Sequence, residues 1–470
     1  MIRFDSLLQN SWRVKDARKE MAAKDVCVLV KRLSDELTLL SYQQKINSTR
    51  LFVFLISNNM EGVLSYFIAS RLKLRAILLG VNALTSLFET MNTEHFAAFI
   101  NFDRFRRLEG HEKVKLISLT GKATITSDPV PVLETGLYKE ALFFFMTSGT
   151  TSHPKLVQYR ESVLVENAIA VTKYLALSPE DKTLCFFPVQ YMYGLSSMLC
   201  TFVSNGLIIF ENFQLSFAVD SIEQYNITTL PLIGDLMIPL SRALKGRSFR
   251  LKRILNASDR LLVSQALSII PHCETLWNNF GQTESGPRIF CLCLDSVNDV
   301  EKYSRYGVVA PGFCMTPDIK IELKAPDSES CYSEMYYRTP YAADGYVDKD
   351  FTLKKMDVWQ QSGDLFETDG NGCYYWLART ANEFKYKGRF VPIQMISDQI
   401  MNQTGIRHFF SRCEAGGINV NVLEFTDESS LENIRFLLSE NWNIYSCKVK
   451  IVSEFPLTPS GKIKLVSNPA

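Results

Sequence analysis

Thr147-Ser148-Gly149-Thr150-Thr151-Ser152-His153-Pro154-Lys155 follows directly on a short apolar run, residues 141–146. The run predicts a buried strand, and the loop after it is dense in hydroxyl donors. Free backbone N–H groups in such a turn form a concavity that binds anions, and Lys155 adds a positive charge. We therefore predict that this loop binds a polyphosphate. The alternative is a polar surface loop without a ligand, and the order of residues excludes a Walker-type phosphate loop.

Length and composition describe a globular protein with more than one lobe. The chain has 470 residues, of which 46% are apolar and 21% charged. Its net charge of +1 lacks the excess of basic residues that is typical of a nucleic-acid-binding protein. No apolar run approaches the roughly 20 residues that a membrane span needs, and the polar N-terminus lacks a secretory pattern. The eleven cysteines show no metal-type spacing, which favours a reducing cytoplasm.

Short β-rich runs alternate with helical patterns through most of the chain. Strands are predicted over residues 26–31, 51–56, 76–79, 115–119, 142–146, 182–189, 206–210 and 251–256. Helices are predicted over residues 60–72, 161–175, 195–204, 217–225 and 236–244. Such alternation predicts an α/β fold with mostly parallel sheets covered by helices on both faces. Ligands in these folds bind at the carboxyl ends of strands, which is where the Thr147 loop falls.

The pattern changes after Gly286 to short strands broken by turns, which predicts a smaller β lobe. A last segment predicts a small α+β domain, with helices over 392–402 and 430–440 and strands over 418–425 and 448–452. We therefore expect an N-terminal domain over residues 1–378 and a C-terminal domain over residues 379–470.

A second motif is Asn278-Asn279-Phe280-Gly281-Gln282-Thr283-Glu284. An aromatic ring such as Phe280 can stack on a flat base, and Gly281 allows close approach of the backbone to a ligand. Thr283 can donate to a phosphate oxygen, and Glu284 offers the carboxylate oxygen that Mg²⁺ prefers. The alternative for Glu284 is a solvated surface charge.

Two further motifs carry single charged groups. In Ser362-Gly363-Asp364, an aspartate on a turn can accept hydrogen bonds from the two hydroxyls of a ribose. In residues 456–462, Pro-Leu-Thr-Pro-Ser-Gly-Lys, a turn presents Lys462 close to the end of the chain. Without further context, Lys462 would be an ordinary exposed lysine.

Together these motifs resemble those of the adenylate-forming superfamily, which contains acyl- and aryl-CoA synthetases, peptide-synthetase adenylation domains and beetle luciferases. The resemblance spans residues 147–462 in family order. It departs from the family pattern at Ser152 and Ala378, where the family has glycine, and at Phe280, where it has tyrosine. The acidic hinge residue of the family is also missing.

The resemblance implies an ATP- and Mg²⁺-dependent ligase that joins a small carboxylic acid to a thiol through an acyl-adenylate. Catalytic roles fall on Lys462, Thr283 and Glu284, with Glu284 as the metal ligand. The implied ATP contacts are Thr147, Ser148, Gly149, Thr150, Thr151, Lys155, Phe280, Gly281, Asp364 and Arg379. Lys385 and Gly388 are implied to line the channel for the thiol, which belongs to coenzyme A or to the phosphopantetheine of a separate carrier protein. The compact chain slightly favours a carrier protein, and the enzyme is expected to be a monomer or homodimer.

The acid pocket is expected at Tyr191 and Gly194, which resemble a pocket motif of acyl- and aryl-CoA synthetases, with Asn256, Ala257 and Ser258 as one wall. Amino-acid-activating relatives carry an aspartate in the first segment, and this chain has none there. An unpaired buried ammonium group is costly, so α-amino acids are disfavoured. Because the wall segment is rich in glycine in many relatives, its side chains here should shorten the pocket, which favours an aryl or short to medium acyl acid. Asp235 or Asp259 would be a displaced anchor if the substrate were an amino acid.

Three alternatives remain open at this point. The first is a standalone amino-acid-activating enzyme. The second is an oxygenase of the luciferase kind, which uses the same motifs. The third is a degenerate nucleotide-binding protein of the same fold, which the substitutions at Ser152 and Ala378 would suit.

Overall fold

A computed structural model describes the chain with several gaps. The described residues are 7, 10–16, 19–57, 59–102, 115–121, 138–147, 155–325, 333–380, 383–386, 389–412, 418–423, 426–442, 444, 448–455 and 466–467. Their α-helices are Ala23–Gln43, Asn59–Arg71, Leu84–Thr90, Glu161–Tyr174, Met192–Val203, Leu215–Tyr225, Gly234–Leu244, Val263–Ile269, Val297–Lys302, Ile393–Thr404 and Glu428–Trp442. Short 3₁₀ turns cover Val81–Ala83, Thr93–His95 and Ile270–His272.

The strands are numbered in chain order. They are β1 Arg13–Lys15, β2 Glu20–Ala22, β3 Leu51–Ile56, β4 Arg75–Gly80, β5 Phe96–Asn101, β6 Leu116–Ser118, β7 Leu142–Thr147, β8 Lys155–Arg160, β9 Lys182–Cys185, β10 Leu207–Phe210, β11 Thr229–Leu232, β12 Leu251–Asn256, β13 Leu261–Leu262, β14 Cys273–Gln282, β15 Gly286–Leu294, β16 Ser304–Arg305, β17 Val308–Val309, β18 Phe313–Cys314, β19 Lys320–Lys324, β20 Ser333–Arg338, β21 Gly345–Val347, β22 Leu353–Lys355, β23 Gln360–Thr368, β24 Tyr374–Arg379, β25 Glu383–Tyr386, β26 Arg389–Pro392, β27 His408–Arg412, β28 Ile418–Leu423, β29 Lys448–Val452 and β30 Val466–Ser467.

Two large sheets with parallel centres form the main body. One has the order β18-β15-β14-β12-β11-β9-β10-β1-β2, and the other has the order β22-β21-β8-β7-β4-β3-β5-β6. The central neighbours run parallel, and antiparallel strands lie at the edges. Strands such as β3 are buried along their whole length, as expected where helices cover both faces of a sheet. The predicted α/β class is confirmed.

Smaller elements complete the fold. An antiparallel sheet β19-β20-β23-β24 forms the predicted β lobe. Toward the C-terminus, the sheet β29-β28-β27-β30 shares its own buried core with the helices Ile393–Thr404 and Glu428–Trp442. None of the helices in the described ranges combines the length and the apolar character needed to cross a membrane.

Three local predictions are wrong. Residues 26–31 lie in the helix Ala23–Gln43. Val26, Val30, Leu33 and Leu37 fall on one buried face at helical spacing, and this spacing outweighs the β-branched valines that favour a strand. The strand predicted over 182–189 ends at Cys185, and the predicted range includes Pro188, which has no N–H for the sheet. Asp364 lies inside β23 rather than on a turn; Gly363, with φ of +68°, bends the strand just before it.

Candidate active site

The predicted phosphate loop connects two paired strands. β7 and β8 run antiparallel, and Thr147 at the end of β7 pairs with Lys155 at the start of β8. β7 is parallel to β4 on its other side, so the connection leaves the carboxyl edge of the sheet, where ligands bind in α/β folds. The predicted contacts Ser148, Gly149, Thr150 and Thr151 lie outside the described residues.

Tyr159 of β8 fixes the turn that carries Thr283 and Glu284. Its hydroxyl donates to the carbonyl oxygen of Thr283 at 2.5 Å and accepts from the N–H of Gly286 at 2.8 Å. Burial raises the pKa of Tyr159, so the hydroxyl remains a donor at neutral pH. The second motif therefore lies against the strand that leaves the hydroxyl-rich loop.

A second link joins the same two motifs through Tyr346 of β21. The Tyr346 hydroxyl donates to Oε1 of Glu284 at 2.8 Å. The ammonium group of Lys155 lies 5.0 Å from the centre of the Tyr346 ring, a favourable cation–π contact. Lys155 and Glu284 thus both contact Tyr346, the cation over its ring and the carboxylate at its hydroxyl.

Glu284 fits the role predicted for it as a magnesium ligand. The described residues contain no cluster of three or more acidic, histidine or cysteine side chains that would hold a metal by themselves. Mg²⁺ that is bound with a nucleotide needs only one or two protein carboxylates, because phosphates and water fill its other positions. The half-buried Glu284 has a carboxylate of the kind that such a metal binds, and its role as a ligand stays a prediction.

Phe280 and Gly281 lie at an irregularity in the pairing of β14 with β15. The Phe280 ring is half-buried and meets the Phe366 ring edge-on at 5.2 Å between centres. A side chain at Gly281 would place its Cβ 2.4 Å from the carbonyl oxygen of Pro287. Glycine is therefore required for the close approach of the two strands, quite apart from any ligand.

Asp364 is joined to both the second motif and Arg379. Gln282 donates to its Oδ2 at 2.5 Å, and the indole N–H of Trp376 and Nε of Arg379 each lie 2.9 Å from its Oδ1. Burial raises the pKa of Asp364, whereas the charge of Arg379 acts in the opposite direction. The predicted ribose contacts Asp364 and Arg379 thus lie side by side, with both carboxylate oxygens engaged by protein donors.

The first segment of the predicted acid pocket presents Tyr193 inward. Tyr191 precedes the helix Met192–Val203 and is 53% exposed, whereas the hydroxyl of buried Tyr193 donates to the carbonyl oxygen of Leu255 at 2.7 Å. A Cβ at Gly194 would lie 2.3 Å from the carbonyl oxygen of Pro188. Glycine at this position therefore allows the first turn of the helix to lie close to the backbone of Pro188.

The predicted wall segment is divided between interior and surface. Asn256 is fully buried and donates to Oδ1 of Asn278 at 2.8 Å; Ala257 is also buried, and Ser258 is exposed with φ of +70°. The two alternative anchors for an ammonium group have other partners. Asp259 binds Arg260, and Asp235 accepts from Gln265 at 3.3 Å.

The C-terminal elements dock on the main body through the helix Ile393–Thr404. Asp398 of this helix is buried and forms an ion pair with Arg260. Asn402 donates to the carbonyl oxygen of Gly307 at 2.9 Å and accepts from Ser264 at 3.2 Å. The predicted catalytic Lys462 and the channel residue Gly388 lie outside the described residues, and of Lys385 only the backbone, within β25, is described.

Comparison with known proteins identifies the family to which the chain belongs. A sequence model for the family described as AMP-binding enzyme matches residues 103–347, just over half of the chain. The chain belongs to the AMP-binding enzyme family. It is also similar to 4-coumarate–CoA ligase 3 of Oryza sativa subsp. japonica, with 25% identity over 352 residues, 67% of this chain and 61% of that relative. The chain thus spans about three-fifths of the length of this curated relative.

Solved structures support the fold of this AMP-binding enzyme. O-succinylbenzoate CoA synthetase of Bacillus subtilis, in complex with its acyl-adenylate intermediate, gives a TM-score of 0.78 at 15% identity and covers 98% of this chain and 96% of its own. The same synthetase with ATP and a magnesium ion gives 0.79 at 14% identity, with 98% and 97% covered. These likenesses extend over nearly the entire chain, so the family fold continues well beyond residues 103–347.

Several residues of this AMP-binding enzyme that organise the site had no sequence signal of their own. Tyr159 and Tyr346 stand in ordinary strands, and Gln282 occupies a position that the family motif leaves free. Arg288 did leave a detectable signal, because it is a charged residue within the otherwise apolar strand β15. Its burial could have been suspected from that strand pattern alone.

Proposed function

We propose that the protein activates a small carboxylic acid with ATP, forming an acyl-adenylate and pyrophosphate, and then transfers the acyl group to a thiol. One observation carries this proposal. The Gln282–Gly286 turn is bonded through Tyr159 to the strand after the hydroxyl-rich loop and through Gln282 to Asp364. Groups suited to phosphates, a metal and a ribose therefore converge, as activation by ATP requires.

The first step joins two anions. A carboxylate oxygen attacks the α-phosphorus of ATP; the new O–P bond forms as the bond to the bridging oxygen breaks, and pyrophosphate leaves with the electron pair. Magnesium, when bound with the nucleotide, supplies positive charge that offsets the repulsion. In our proposal Glu284 holds the metal, Thr283 donates to a phosphate oxygen, and Lys462 stabilises the charge that builds on the α-phosphate.

In the second step a thiolate attacks the carbonyl carbon of the mixed anhydride, and AMP departs. We propose coenzyme A as the first acceptor to test, since the sequence relative reported above is named as a CoA ligase. A carrier-protein phosphopantetheine remains the second. Residues 379–470 would act as a lid whose Lys385 and Gly388 line the thiol channel, and the reaction would take place in the cytoplasm.

The charges around the predicted pocket favour a simple acid over an α-amino acid. Asp235 and Asp259, the displaced anchors considered for an ammonium group, are bound to other side chains. Arg288 is a buried cation that lies close to Leu255, the residue that directly precedes the predicted wall segment. A substrate ammonium group near this wall would approach a like charge, which is unfavourable in a low-dielectric site.

The test is acid-dependent exchange of labelled pyrophosphate into ATP, with a panel of aryl, short acyl, medium acyl and amino acids. We expect exchange with at least one non-amino acid. A Lys462→Ala variant should lose exchange and yet convert a supplied acyl-adenylate to thioester, whereas a Lys450→Ala variant serves as a matched surface control. Nucleotide binding without exchange for any acid would favour the degenerate binding protein instead.

A further inference from the structure

The Tyr346 side chain holds one of the two carboxylate oxygens of Glu284. Its hydroxyl donates to Oε1 at 2.8 Å, and the N–H of Ala343 donates to the backbone carbonyl oxygen of Glu284 at 2.9 Å. No other donor within the described part of the chain binds this carboxylate, so Oε2 remains available as a ligand atom. A carboxylate held at one oxygen presents the other in a fixed direction, as metal ligands in proteins commonly do.

The backbone of Tyr346 is itself firmly held. β21 pairs antiparallel with β8, and Tyr346 lies opposite Val157. Just before it, the N–H of Asp344 donates to the carbonyl oxygen of Gln158 at 2.9 Å, and the Asp344 carboxylate pairs with Arg160 at 2.9 Å. A strand within a sheet positions a side chain more precisely than a loop does. The Tyr346 hydroxyl is thus a fixed donor.

The ring of Tyr346 has a different partner from its hydroxyl. The Lys155 ammonium group lies 5.0 Å from the ring centre. Lys155 stands two residues before Val157 in β8, so it lies on the same face of the sheet and is a diagonal neighbour of Tyr346. Lys155 is an exposed residue, and the ring contact limits the directions in which its charge can point. One tyrosine therefore restrains both Lys155 and Glu284.

Resting on the proposed function, we propose that Tyr346 is a positioning residue with two separable roles. Its hydroxyl orients Glu284 toward the magnesium that accompanies the nucleotide, and its ring holds Lys155 toward the phosphates. Both partners bring positive charge to the same polyphosphate, Glu284 through the metal and Lys155 directly. Because Tyr346 acts only through these partners, each role should vanish when the corresponding partner is removed.

The test measures the Kd of the full-length protein for ATP by calorimetry with excess Mg²⁺. Tyr346→Phe removes the hydroxyl and keeps the ring, and we expect Kd to rise by about tenfold or more, as is usual when a metal ligand loses its hydrogen-bond partner. In a Glu284→Ala background, the same change should have no further effect. Tyr346→Leu should raise Kd by a further factor of about two to five over Tyr346→Phe, the effect of an exposed cation–π contact, and this increment should be absent in a Lys155→Ala background.

Tyr336 offers a matched control in the β lobe. It is half-buried on β20, and the ammonium group of Lys324 lies 4.5 Å from the centre of its ring. Tyr336→Phe and Tyr336→Leu should therefore leave the Kd for ATP unchanged. Variants that bind too weakly for calorimetry are compared by the rise in thermal unfolding temperature at higher ATP concentrations.

The outcomes separate the role of Tyr346 from the proposed function. Equal weakening by Tyr346→Phe with and without Glu284, or no weakening at all, would overturn the role of the hydroxyl. An increment for Tyr346→Leu that persists without Lys155 would overturn the role of the ring. Acid-dependent pyrophosphate exchange by the wild-type protein would leave the proposed function standing in both cases. The expected pattern of Kd values without exchange for any acid would support Tyr346 and overturn the proposed function, and a wild-type protein that does not bind ATP would overturn both.

Discussion

Replacing Tyr159 with phenylalanine removes one oxygen and leaves the ring in place. That oxygen accepts from the N–H of Gly286 and donates to the carbonyl oxygen of Thr283, at 2.8 and 2.5 Å. Tyr159 and Gly286 are both buried, so water cannot replace the lost bonds without rearrangement. Each unsatisfied buried group costs about 1–3 kcal/mol, which gives a loss of about 2–6 kcal/mol in the free energy of unfolding for the two together.

The same change should lower activity beyond its effect on stability. The two bonds fix both ends of the turn that carries Thr283 and Glu284. Displacement of positioning groups by about 1 Å can cost on the order of a hundredfold in rate. We therefore expect kcat/KM for pyrophosphate exchange to fall by about tenfold to a hundredfold at a temperature where the variant remains folded.

Urea unfolding and pyrophosphate exchange, measured on the same preparations, check both parts of this prediction. Tyr42→Phe is the matched control, because Tyr42 is 66% exposed and its hydroxyl is accessible to water. The control should change stability by less than about 0.5 kcal/mol. If Tyr159→Phe behaves like the control in both assays, the Gly286 and Thr283 contacts do not organise the site.

Three further outcomes are expected. Trp376→Phe removes the N–H donor to buried Asp364, which should cost about 1.5–3 kcal/mol in urea unfolding and weaken ATP binding measured by calorimetry. Asp398→Asn removes the buried charged partner of Arg260 and leaves only its pair with the exposed Asp259, so limited proteolysis should release the C-terminal elements faster than in Asp427→Asn, a surface control. Burial lowers the pKa of His408 from its ordinary 6.5 to about 4. Because the unfolded chain then binds the proton more readily, stability should be full above about pH 6.5 and fall by up to about 3 kcal/mol toward pH 4, and His408→Gln should flatten this dependence in urea titrations at several pH values.

Much of the fold was predictable because its local signals agree with its packing. Buried runs such as β3 and β10 are apolar along their length and are bounded by polar or turn residues. The prediction for residues 26–31 failed where β-branched composition and helical spacing pointed to different structures, and burial of one helical face decided the outcome. The composition of six residues cannot decide between a helix and a strand, whereas the spacing of apolar residues over about twenty residues can.

The candidate site was predictable only where function fixes residue type at close spacing. Thr283 and Glu284 follow a glycine whose close approach to Pro287 restricts that position, so the motif is visible in the sequence. Contacts made across the fold leave no such pattern, since Tyr159 and Gly286 are far apart in the chain. The inward position of Tyr193, rather than Tyr191, depends on how the helix Met192–Val203 begins, which sequence spacing does not determine.

The central claim is that a carboxylate oxygen bonds to the α-phosphorus of ATP. It is tested most directly by incubating the enzyme with ATP, a thiol acceptor and an active acid whose carboxylate carries oxygen-18, followed by mass spectrometry of the nucleotides. An acyl-adenylate intermediate predicts AMP that contains one labelled oxygen for each thioester formed. Unlabelled AMP, or label found in inorganic phosphate together with ADP, would contradict it.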